Sequence, residues 1–141
     1  MACPLFIPST PLGELVSGSV PLGDLYDGSC SSAPAELITA ETLRRYCNFG
    51  YARGHCERAA GSDADAVRFM VRAERGSLVA VAWSVERNHH PAAVGTMEID
   101  TRLSPAGDVL ARQAHACALT YARQAHDRPV YVRQIAATAH P

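Results

Sequence analysis

Arg44-Arg45-Tyr46-Cys47-Asn48-Phe49-Gly50-Tyr51-Ala52-Arg53-Gly54-His55-Cys56-Glu57-Arg58 concentrates two cysteines, three aromatic rings, two glycines and four arginines in one short run. Just upstream, Thr39 is a good helix N-cap, Ile38 can staple against Leu43, and Glu41 falls in the first turn, where the helix dipole favours an acid. Leu43 and Cys47 are four residues apart and share a face, so Cys47 is expected to point inward from the last turn of a short helix, with Gly50 ending it. Cys56 then follows on a loop. Two more cysteines, Cys3 and Cys30, lie further upstream. The stretch therefore reads as half of a thiol site whose other half comes from the N-terminus.

The chain of 141 residues is 48% hydrophobic and 19% charged, a composition for a folded core rather than disorder. Its formal net charge is −1 and its basic residues are scattered, so no footprint for nucleic acid is present. All 13 basic residues are arginine, which points to a GC-rich, bacterial coding bias. The beginning, Met1 to Pro8, has neither the positive charge nor the apolar run of a secretory signal, and no run of roughly 20 apolar residues spans a bilayer. The expectation is a cytoplasmic protein without a membrane partner. In a reducing compartment, clustered thiols point to metal or redox chemistry before disulfides, and five cysteines leave any all-disulfide scheme with one over.

Residues 1–36 are rich in Pro, Gly and Ser. Pro11-Leu12-Gly13-Glu14-Leu15 recurs ten residues later as Pro21-Leu22-Gly23-Asp24-Leu25, which reads as two loop segments with leucines tucked inward. Beyond Gly61-Ser62-Asp63 the period changes to two. Val67, Phe69, Val71 and Ala73 form one face of a strand, Val79, Val81, Trp83 and Val85 one face of a second, and Val94 to Ile99 a third. Ser104-Pro105 is read as the start of a helix carrying Leu110, Ala114, Cys117, Ala118 and Tyr121 on one face to about His126, with Val130-Tyr131-Val132 as a fourth strand. The expected architecture is one α+β domain over 1–141. A loop-rich, cysteine-bearing layer with a short helix (1–62) precedes a three- to four-stranded antiparallel meander packed on one C-terminal helix (63–141).

Between successive N-terminal cysteines stand 26, 16 and 8 residues. The close cysteine pair of structural zinc knuckles occurs nowhere, and each thiol comes from a different segment. That arrangement suits an object taking ligands from several directions, such as a [4Fe–4S] cubane held by Cys3, Cys30, Cys47 and Cys56. Zinc on the same thiols is the alternative, with His55 a substitute ligand. Gly28, Gly50 and Gly54 would let backbone N–H groups approach sulfur. Arg44, Arg45, Arg53 and Arg58 could offset thiolate charge, and Tyr46, Phe49 and Tyr51 could exclude water. Cys117, on the apolar stripe of the late helix, reads as a small core residue. His89-His90 reads as an exposed turn, His115 and His126 as surface residues, and Asp63 with Asp65 as a solvated pair.

Cys3-Pro4, then Cys30, then a capped helix ending in Tyr46-Cys47, then Tyr51 and Cys56, resembles small four-cysteine modules of uncharacterised bacterial proteins over residues 1–58. Those modules often place proline after the last cysteine, where this chain has Glu57. The resemblance implies a metal or iron–sulfur site and brings no activity with it. Gly-rich phosphate loops, dinucleotide fingerprints and nucleophile elbows are absent from the sequence, and no catalytic residue stands out. The expected function is electron transfer or redox sensing with a redox or protein partner. The strand meander and late helix would then serve as scaffold or as a surface for that partner or for a second copy of the chain. The alternatives are a structural zinc module for protein interaction without a redox role, and an enzyme whose pocket lies between sheet and N-terminal layer.

Overall fold

The computed structural model describes residues 1–13 and 20–127, with the side chains of His126 and Asp127 left aside. The fold is α+β: a cysteine-bearing N-terminal region, then a three-stranded antiparallel sheet packed against one C-terminal helix. The sheet comprises β3 (Ala66–Arg75), β4 (Leu78–Arg87) and β5 (His90–Asp100) in that order. Register sets Phe69, Trp83 and Gly95 in one row and Val71, Val81 and Met97 in the next, so Val67, Phe69 and Val71 share a face with Val79 to Val85 as their spacing predicts. A bulge after Val71, however, places Ala73 opposite Ala80, exposed on the other face. That face receives α2 (Val109–Asp127), whose Ala114 and Ala118 pack on Val79 and Val81. Asn88 and His89, both at positive φ, make the two-residue turn joining β4 to β5.

Helix α2 starts later than Ser104-Pro105 suggests. Asp108 is the residue that caps it, its Oδ1 accepting from the Ala111 N–H at 2.9 Å. The fourth strand expected at Val130–Val132 lies outside the described residues.

The N-terminal segment contains more strand than its Pro and Gly content suggests. β1 (Phe6–Pro11) and β2 (Tyr26–Cys30) pair antiparallel, Phe6 opposite Cys30 and Pro8 opposite Gly28, with an irregularity between Pro8 and Thr10. Gly28 is required by close approach: a Cβ there would stand 2.1 Å from the Ile7 carbonyl oxygen and 2.8 Å from the Phe6 ring. The hairpin is tied to α2 through buried polar contacts. The Tyr26 hydroxyl donates to the Ala116 carbonyl at 3.1 Å and lies 2.6 Å from Thr120 Oγ1. Gln113, fully buried, donates from one amide nitrogen to the carbonyls of Cys3 and Phe6, each at 2.7 Å. At the other end, Ala2 bridges to Val67, which joins the segment to the edge of β3.

Thr39 caps α1 (Ala40–Thr42), its Oγ1 accepting from the Thr42 N–H at 3.2 Å. The helix then widens into a π-turn over Leu43–Cys47, closed by Asn48 N–H to Leu43 C=O at 3.2 Å. Asn48 stabilises this turn. Its fully buried side chain accepts from Tyr26 N–H at 2.9 Å and donates to the carbonyls of Tyr26 and Leu43 at 3.1 and 2.9 Å. Asn48→Ala would leave a buried N–H and its carbonyl partners unpaired. We expect a loss of about 3 kcal/mol in urea denaturation, well above that of an exposed Asn to Ala change.

Candidate metal centre

Cys3, Cys30, Cys47 and Cys56 line one cavity, together with Leu5, Phe6, Tyr46, Ala52, Arg58 and Ala59. Four segments deliver the four thiols. Cys3 sits in a turn closed by Phe6 N–H to Cys3 C=O at 3.0 Å, and Pro4 fits that turn because its φ is fixed. Cys30 ends β2, opposite Phe6, and the following Ser31 N–H donates to Leu5 C=O at 2.8 Å, which holds the strand end against the Cys3 turn. Cys47 ends the π-turn, and its carbonyl accepts from Cys3 N–H at 3.0 Å. Cys56 closes a turn back to Ala52 C=O at 2.8 Å and precedes a 3₁₀ turn over Glu57–Ala59.

About 20 Å³ of the cavity is open to the centre of a water molecule, room for one water, within about 300 Å³ of atom-free space. No polar atom is exposed in its walls. Among the described residues, no three His, Cys, Asp or Glu side chains converge into a group that could hold one metal ion. All five cysteines are free thiols.

Electrostatics separates Cys47 and Cys3 from Cys117. Burial pushes the Cys47 thiol up to about 12, and the neighbouring Cys3, Cys56 and Cys30 add to the rise while the Arg58 guanidinium opposes it. Burial also raises Cys3, with Cys30 and Cys56 adding, but the backbone N–H groups of Leu5 and Phe6 favour its thiolate. Cys117 is raised to about 11 by burial alone, with no thiol neighbour contributing. Ser32 Oγ lies 3.1 Å from Cys30 Sγ and 3.4 Å from the Arg58 carbonyl, so its hydroxyl can turn to donate to a Cys30 thiolate.

The surrounding residues play narrower parts than their sequence neighbourhood suggests. Of the four arginines only Arg58 lines the cavity, pairing with Glu36 at 3.0 Å. Arg45 pairs with Glu41 at 3.5 Å and Arg53 with Asp65 at 3.3 Å. Tyr46 walls the cavity, and the exposed His55 stacks on it with ring centroids 5.6 Å apart. Tyr51 turns away instead, its hydroxyl donating to Glu86 at 2.9 Å and its ring stacking on His89. Gly50, at φ +78°, serves the contact of Ala2 and Ala66, where a Cβ would stand 2.7 Å from that of Ala66. Asp65 is buried rather than solvated; it accepts from Asn88 N–H at 2.8 Å and helps to fix the β4–β5 turn. His115, expected at the surface, is buried with Nε2 2.8 Å from the Leu103 carbonyl. No helix among the described residues is long and apolar enough to cross a membrane.

Comparison with protein-family models, with curated proteins and with solved structures finds no match for the chain.

Proposed function

We propose that the protein is a small iron–sulfur protein in which Cys3, Cys30, Cys47 and Cys56 ligate one [4Fe–4S] cluster for electron transfer or redox sensing. The observation that carries this reading is the shared cavity: four thiols from four segments face one apolar space. The donor set also suits thiolate chemistry. The Leu5 and Phe6 N–H groups favour ionised Cys3, Ser32 reaches Cys30, and the Arg58 charge favours ionised Cys47. Four thiols, three of them buried, have little other reason to be gathered in a loop-built pocket, because a core of this size is more simply filled by aliphatic side chains.

A cubane with a thiolate on every iron has no open coordination position, so such a cluster exchanges electrons instead of binding substrate. The residues around it exclude water: Leu5, Phe6, Ala52 and the Tyr46 ring line the space. A dry site sets the potential through burial and hydrogen bonds to sulfur. Anaerobically purified protein is expected to be brown, with the broad visible absorbance of thiolate-bound iron that bleaches on reduction. Colourless protein carrying zinc would favour a structural module on the same thiols and would defeat the cluster reading.

A further inference from the structure

The four thiols are not equivalent. Cys3, Cys30 and Cys47 are 8%, 6% and 8% exposed, whereas Cys56 is only half-buried. Cys56 lines the cavity it shares with the other three thiols and also a second, more open groove of about 250 Å³, bounded by Glu36, Thr42, His55, Glu57 and Arg58. The other ligands are screened by protein: Cys3 by the Gln113 clamp to α2, Cys30 by the β1–β2 hairpin, and Cys47 by its packing beside Leu43 and Ala2. Electron transfer weakens steeply with distance through protein, so the ligand at the surface defines the shortest route.

From this asymmetry we infer that electrons enter and leave through Cys56, and that the open groove docks an electron carrier presenting a positively charged face; the inference rests on the cluster reading. Charge selects the partner's sign. The Arg58 guanidinium is matched by Glu36 at 3.0 Å, which leaves the Glu57 carboxylate at the rim. Behind it, four thiolates outweigh the positive charge of the cluster core, so the buried site adds a net negative field at this corner. The exposed His55 ring stacked on Tyr46 supplies a flat surface beside the groove.

Small ions of opposite charge test the route without knowledge of the natural carrier. The reduced cluster passes one electron to hexaammineruthenium(III), giving the ruthenium(II) ion, or to ferricyanide, giving ferrocyanide; no bond or proton is exchanged. Stopped-flow oxidation at low ionic strength is compared for the wild type, Glu57→Lys, the milder Glu57→Gln, and Glu98→Lys on the outer face of the sheet. Glu57→Lys is expected to slow the cationic oxidant roughly two- to fourfold and to speed ferricyanide similarly, with both effects collapsing at high salt. Glu57→Gln should give a smaller change of the same sign, and Glu98→Lys none. Equal effects at positions 57 and 98, or no effect at 57 in protein with a normal cluster spectrum, would overturn the route. Wild-type protein with no cluster would instead remove the reading on which it rests.

Discussion

Cys47→Ser is expected to abolish cofactor binding, while Cys117→Ser leaves the cofactor content of the protein unchanged. Both thiols are 8% exposed, so burial alone does not distinguish them. Their neighbours do. Cys47 shares its cavity with three other thiols, and all three act on its ionisation; Cys117 lies on α2, and burial alone acts on its own. Serine is nearly isosteric with cysteine but is a poor ligand for soft metals, so the first change removes one corner of the ligand set. Because binding free energy of such a site is folding free energy, the same change should also erase most of the stability difference between loaded and cofactor-free protein. At position 117 serine can bond back to its own helix, and the expected cost is about 1 kcal/mol. Iron content and urea denaturation of the two variants check both halves. Cofactor loss at Cys117 with retention at Cys47 would show that the ligand set is wrong.

The second large effect is a reversal of pH dependence on loading. In cofactor-free protein the Cys47 thiol is raised to about 12 from an ordinary value of 9.0, and Cys3 is raised in the same direction. A raised thiol favours the folded state while both states hold the proton, and this contribution is complete below about pH 9. As pH rises from 9 towards 12 the unfolded chain ionises first, so the cofactor-free protein loses stability across that window. In loaded protein the sign inverts. Thiolates holding a cluster would carry no protons, whereas the unfolded chain takes them up below about pH 9, so on the proposed ligation stability is expected to rise with pH up to that point. Anaerobic urea titrations at pH 7, 8, 9 and 10 follow both forms. Parallel slopes for the two forms would mean that these thiols are not the ligands.

The parts of the fold legible in the sequence are those set by local pattern. Alternation in Val67–Val71 and Val79–Val85 gave the sheet face, and Thr39 is the cap its position indicates. The hairpin β1–β2 was hidden because Pro8, Pro11 and Gly28 read as loop, although a paired edge with one irregularity tolerates all three. Asn48, Gln113 and His115 carried no signal, since their partners are backbone carbonyls of Tyr26, Cys3 and Leu103 that become neighbours only in the folded chain. Tyr26, Asn48 and Gln113 anchor the hairpin from the protein side, so cofactor removal should loosen the turn from Ala52 to Ala59 before the hairpin.

The Arg44–Arg58 stretch supplies two of the four thiols, and the Cys3 turn and the end of β2 supply the others. The most direct measurement of what these thiols hold is iron and acid-labile sulfide per chain in protein purified or reconstituted without oxygen. Equal amounts of the two, at the ratio of one [4Fe–4S] cluster per chain and lost together on Cys47→Ser, are the predicted result. Protein that takes up neither iron nor sulfide under those conditions, or that retains both after Cys47→Ser, would contradict the assignment.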